Sequence, residues 1–96
     1  MKDPLQLITP KNVKAGDIIK AFRKNFDILQ DDLAWACGIS QANLSALENN
    51  RRDIGPKVAL KLAAFLGISP TILLYPNGYQ GLPEYKEVLQ KKKKVG

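Results

Sequence analysis

The stretch from Gln30 to Asn49 constrains this chain more than any other. Leu33, Ala34 and Cys37 fall at i, i+1 and i+4, the spacing of a buried helical stripe. Leu44 and Leu47 lie one turn apart on a second short helical pattern. Gly38 sits between the two, where the first helix must stop and the chain must turn. Glycine takes a positive φ at such a point without steric cost. Ser40 is a good N-cap for the second helix. Ile39 is placed to plug the angle between the helices, and Ala34 is small where they come close.

Two helices joined this way form a helix-turn-helix, in which the second helix enters the DNA major groove. The stretch resembles the Xre/Cro-type helix-turn-helix family of phage repressors and bacterial regulators. The resemblance is carried by Gln30, Leu33-Ala34, Gly38, Ile39, Leu44, Leu47 and Glu48, and it continues through Arg51-Arg52, Ala63 and Leu66-Gly67. It covers about sixty residues, the size of one small domain. It implies an all-α fold: a compact five-helix lambda-repressor-like bundle with a helix-turn-helix, here with a short N-terminal arm and a C-terminal basic extension.

The outward face of the second helix carries Gln41, Ala42, Asn43, Ser45 and Ala46. It is short, polar and uncharged. Gln and Asn can bond bidentately to adenine, Ser can bond several base edges, and Ala can contact the thymine methyl. The resemblance places Gln41, Ala42 and Ala46 at base-reading positions. Two alanines among three leave direct readout thin, so DNA shape is expected to supply part of the specificity. The resemblance also gives Gln30 a phosphate contact and a bracing role, and expects an acidic residue at Glu48 that bonds to the following loop or to Arg52. Asn50 stands where relatives often carry Gly, and Asn suits a left-handed C-terminal turn. Arg51 and the side chains of Asn49 and Asn50 are placed for phosphate contacts. The expected DNA interface is therefore Gln30, Ser40, Gln41, Ala42, Asn43, Ser45, Ala46, Asn49, Asn50 and Arg51.

Ninety-six residues leave room for one small core. No apolar run is long enough to span a bilayer, and the start lacks the apolar core of a signal peptide, so a cytoplasmic protein with no membrane partner is expected. One cysteine cannot form an internal disulfide, and there is no histidine. A Cys/His zinc site and a His-based catalytic site are both excluded. No nucleophile–base pair or phosphate loop is present, so no catalytic residue, no metal ligand and no cofactor is expected. The net charge of +6 suits a polyanionic partner. Yet seven basic residues between positions 15 and 75 nearly cancel six acidic ones, and the excess lies at the ends, mostly in Lys91 to Lys94.

Residues 1–12 form the arm. Pro4 and Pro10 argue against a helix there, leaving either an extended segment docked on a partner or a loosely packed terminus. Residues 13–75 form the DNA-binding domain. Its first helix starts near Val13 or Asp17 and ends at Phe26, with Ala15, Ile19, Phe22 and Phe26 as the core stripe. Lys20, Arg23 and Lys24 lie off that stripe as a solvated face from which one can approach phosphate. The helix-turn-helix occupies about Asp31–Cys37 and Gln41–Asn49. Trp35 points away from the buried stripe, toward a neighbouring helix or a partner. A fourth helix runs from Pro56 to Leu66 with Val58, Leu62 and Phe65 on one face and Ala59, Ala63 and Leu66 beside it, and Ser69-Pro70 start a fifth. In the fifth, Ile72, Leu73 and Leu74 face the core on one side and offer a dimer seam on the other, with the end segments as the other candidate seam. Residues 76–96 are a turn-rich linker and a basic helix from Pro83 with Tyr85, Val88 and Leu89 as its apolar side. The Lys91 to Lys94 run repels itself and is expected to fray.

The function expected is sequence-specific binding of double-stranded DNA as a homodimeric transcriptional repressor at a palindromic operator. The alternative is an antitoxin that binds a small toxin and represses its own operon. Residues Ile54 to Ala63 and Gly67 to Pro70 resemble HigA-like antitoxins.

Overall fold

The computed structural model describes residues 13–95, and among these it is entirely helical outside turns. The helices are α1 Ala15–Asn25, α2 Gln30–Cys37, α3 Gln41–Glu48, α4 Pro56–Leu66, α5 Pro70–Leu74 and α6 Pro83–Val95. The expected arm, residues 1–12, lies outside the described residues.

Each end of the central helices follows from a local residue. Asp17 reaches back to accept from the Lys14 N–H at the start of α1, where a carboxylate also meets the positive end of the helix. Gly38 ends α2 in the left-handed conformation, φ 67° and ψ 31°. Its N–H and that of Ile39 close on the Trp35 and Ala34 carbonyls at 3.1 and 3.0 Å. Ser40 caps α3, its Oγ accepting from the Asn43 N–H at 3.0 Å. Gly67, at φ 72°, ends α4.

One core joins α1 to α5. It consists of Ile18, Ile19 and Phe22 from α1, Leu33, Ala34 and Cys37 from α2, and Leu44 and Leu47 from α3. Ala59, Leu62, Ala63 and Leu66 of α4 and Leu73 of α5 complete it. Two stripes differ from the sequence reading. In α1 the buried residues are Ile18, Ile19 and Phe22, while Phe26 lies past the helix end and is 42% exposed. Asp27 takes φ 53° immediately afterwards, so the chain leaves the helix axis before Phe26 can follow the stripe. In α4 the buried face is Ala59, Leu62, Ala63 and Leu66, and Phe65 is turned outward. α4 packs on both α2 and α5, and the short alanines let it approach more closely than a phenylalanine ridge would allow.

The α1–α3 approach is closer still. A Cβ on Gly16 would collide with the Leu47 carbonyl oxygen and stand 2.8 Å from that of Glu48. Glycine is required here by space, since the residue lies in an ordinary helical turn.

Beyond α5 the chain leaves the core. Tyr75 and Tyr79 pack edge to face with ring centroids 5.9 Å apart, and Tyr79 and Tyr85 at 5.2 Å. This tyrosine ladder orders the linker, and Asn77 donates to the Val13 carbonyl at 3.0 Å. α6 follows and buries none of its residues. It runs through Lys91 to Lys94, with Glu87 paired to Lys91 one turn on at 3.4 Å. The radius of gyration is 15.4 Å, against roughly 12.5 Å for a compact chain of this length. The difference reflects a helix that projects from the bundle.

Candidate nucleic-acid interface

α3 is held by its buried face. Leu44 and Leu47 are in the core, and beside them lies Glu48, which is 3% exposed. These three positions fall at i, i+3 and i+4, one face of a helix. A carboxylate buried there needs a cation and hydrogen-bond donors to offset its lost hydration. Its partner is Arg23 of α1. The guanidinium donates through Nε to Oε2 at 2.6 Å and through the second terminal nitrogen to Oε1 at 3.0 Å. Its remaining terminal nitrogen donates to the Ile28 carbonyl at 3.0 Å. This bidentate pairing is the strong form of the interaction.

Arg23 is therefore not part of a solvated face, and Glu48 does not reach toward Arg52. Arg52 instead donates to Asn43 Oδ1 at 2.9 Å. The physical reason is register. Glu48 follows Leu47 on the inner face of α3, facing α1, whereas Asn43 lies toward the loop that carries Arg52. The signal was available in the sequence, because an acid in phase with two core leucines calls for a cation from another helix.

The network extends outward. Gln30 donates to Glu48 Oε1 at 3.3 Å, and Gln41 donates to Gln30 Oε1 at 3.2 Å. Direction matters here. An ionised carboxylate only accepts, so Gln30 must turn its amide nitrogen inward and its oxygen outward. Gln41 must then give one N–H to that oxygen. Among the described residues its other N–H and its own oxygen have no partner, and they form the donor–acceptor pair that adenine needs in the major groove.

The remaining expected residues divide by their commitments. Gln41 and Ala42 are exposed, while Asn43, Ser45 and Ala46 are half-buried. Ser40 serves as the α3 cap. Asn49 donates back to the Ser45 carbonyl at 2.8 Å. Asn50 takes the left-handed turn at φ 58°. Its amide also bonds α1, accepting from the Gly16 N–H at 3.0 Å and donating to Asp17 at 3.1 Å. That clamp on α1 joins residues far apart in the chain and has no local signal in the sequence. Arg51 is exposed at the end of α3. Asp31 and Asp32 stand exposed at the start of α2, and Arg51 and Arg52 stand exposed just past the end of α3. Trp35 is 84% exposed, and among the described residues it packs on no neighbouring helix. Cys37 is buried among apolar groups, and this pushes its thiol above the ordinary range, with the Lys61 ammonium pulling weakly the other way.

Comparison with known proteins agrees with this fold. A family model described as helix-turn-helix matches residues 19–73. An HTH-type transcriptional regulator of Methanocaldococcus jannaschii is 34% identical over 50 residues, which are 52% of this chain and 76% of that relative. Among solved structures, the P22 c2 repressor protein in complex with a synthetic operator superposes with a TM-score of 0.63 at 30% identity, covering 67% of this chain and 97% of the repressor chain. A chain of the complex of the SinR and SinI proteins has the same fold, with a TM-score of 0.60 at 24% identity, over 85% of this chain and 81% of that one.

Proposed function

Because this chain belongs to the helix-turn-helix family of transcriptional regulators, we propose that it represses transcription by binding a palindromic operator in double-stranded DNA as a homodimer. The family and fold are those of DNA-binding regulators, not of enzymes. Among the described residues no helix is long and apolar enough to cross a membrane.

The observation that carries the proposal is the chain of bonds from Arg23 through Glu48 and Gln30 to Gln41. It holds a base-reading amide in one orientation before DNA arrives, so little ordering entropy remains to be lost on binding. On this reading α3 lies in the major groove. Gln41 bonds adenine, and Ala42 and Ala46 contact thymine methyls. Ser45 and Asn43 border the same base edges. Ser40, Gln30, Asn49 and Arg51 face the phosphates, which fix register without specifying sequence. Asn50 supports the turn that presents Arg51. With so few base contacts per copy, two-fold symmetry is needed to reach operator affinity, with half-sites about one helical turn or 34 Å apart.

The test is selection of bound sites from a random DNA pool, followed by affinity measurement on the selected operator. A palindrome with half-sites one turn apart is expected. Gln41→Ala should cost about 1–3 kcal/mol on the operator and relax one base pair in each half-site. Equal losses for Gln41→Ala on operator and random DNA would refute the assignment. The antitoxin alternative draws on the resemblance of Ile54 to Ala63 and Gly67 to Pro70 to HigA-like antitoxins, and the exposed apolar side of α6 is where it would require a second protein.

A further inference from the structure

We infer that two copies of this chain associate through α6, laid antiparallel across a two-fold axis. The inference rests on the homodimer proposed above and assigns its interface.

α6 is a 13-residue helix with no buried residue. A helix of that length is marginal in water on its own, and this one exposes Tyr85, Val88 and Leu89 on one side. Together with Thr71, Tyr75, Tyr79 and Leu82, these side chains line an open, mostly apolar cleft of about 750 Å³. The ladder of Tyr75, Tyr79 and Tyr85 forms one wall. The cleft and the helix face are continuous, so a second helix seated there would cover both.

Charge identifies the occupant. The first half of α6 holds Glu84 and Glu87 with Lys86 between them, net negative, and the last half holds Lys91 to Lys94 with no acid. A parallel pair would gather the lysines of both copies at one end. An antiparallel pair sets the glutamates of each copy beside the lysines of the other. The helix is thus complementary to itself in one direction only, the direction that closes a two-fold, isologous contact. An acidic or uniformly basic partner helix would satisfy only half of it. A two-fold pairing on α6 also leaves α3 of each copy free, as a palindrome requires.

The experiment is sedimentation of the full chain, free and with a selected operator. Variants in α6 fold normally because the helix contributes nothing to the core, and circular dichroism verifies this. The wild type is expected to dimerise, and Val88→Glu with Leu89→Glu should weaken the dimer at least tenfold. Glu84→Lys with Glu87→Lys makes the helix wholly basic and should also weaken it. Replacing all four of Lys91 to Lys94 by Glu in that variant restores complementarity with the ends exchanged, and should return the dimer to within a few-fold of wild type. A dimer indifferent to the Val88/Leu89 change would overturn the α6 interface and leave the homodimer standing. A wild-type chain that is monomeric both free and on its operator would instead overturn the homodimer. A monomer that takes up a different protein on α6 would show that the occupant is misassigned. Loss in the basic variant without recovery in the exchanged one would refute the antiparallel pairing.

Discussion

Removing the carboxylate of Glu48 should be the most damaging single polar change in the described chain. In Glu48→Ala, Arg23 loses two charge-assisted bonds, at 2.6 and 3.0 Å, and keeps only the Ile28 carbonyl. Leaving one member of a buried pair unpartnered costs about 3–5 kcal/mol. The Arg23 side chain is 14% exposed, while that of Glu48 is 2% exposed. Some water can therefore reach the abandoned guanidinium, which places the expected loss near the lower end, about 3 kcal/mol. A chain of this length has roughly 5–14 kcal/mol of stability in total, so the variant still folds in the cold. Its melting point should fall by about 12–24 °C. Urea unfolding followed by circular dichroism measures this; fluorescence is a poor probe, because Trp35 is exposed in the folded state too. The paired replacement Arg23→Met with Glu48→Leu should recover most of the loss, since apolar groups of similar volume replace a buried ion pair at little cost. A loss under about 1 kcal/mol for Glu48→Ala, the behaviour of an exposed pair, would refute the reasoning. So would a double variant no better than the single one.

Two glycines should respond to alanine for different reasons. Gly16→Ala forces α1 away from the backbone of α3 and should cost about 2–3 kcal/mol and weaken operator binding, while Gly38→Ala meets no neighbouring atom and should cost about 1–2 kcal/mol, the strain of its positive φ, as chemical denaturation will report. Cys37 has its thiol pushed up by burial, so stability is fully present below the ordinary thiol range of about 8.5 and declines as pH rises through the folded value, because the unfolded chain sheds the proton first. Urea midpoints measured from pH 7 to 10 should fall more steeply for the wild type than for Cys37→Ala, and parallel curves would contradict this.

Much of the fold is legible in the residues themselves. Leu33, Ala34, Cys37, Gly38, Ser40, Leu44 and Leu47 mark their own positions by period and by turn chemistry, and the structure puts each in the expected place. Such signals are local, arising within one or two helical turns. What was less legible depends on pairs far apart in the chain. Gly16 is a glycine because of Leu47 and Glu48, and nothing near Gly16 says so. Phe26 and Phe65 fit a helical period, yet lie outward because of where α1 ends and how α4 meets α2. Asn50 marks a left-handed turn by its residue type and takes one, but its two bonds to α1 depend on the tertiary fold.

Glu48 joins the two kinds of information. Its phase with Leu44 and Leu47 is local, its dependence on Arg23 is tertiary, and its effect reaches the outer face of α3. Because a carboxylate cannot donate, its charge sets the direction of both amides beyond it. The oxygen of Gln41 and one of its N–H groups therefore face outward. A neutral amide at position 48 would accept and donate alike, and the orientation of Gln30 would no longer be dictated from within. The acid in the core thus has two roles that separate by substitution: holding α3 against α1 requires a partner for Arg23, whereas presenting Gln41 in one orientation requires a group that only accepts.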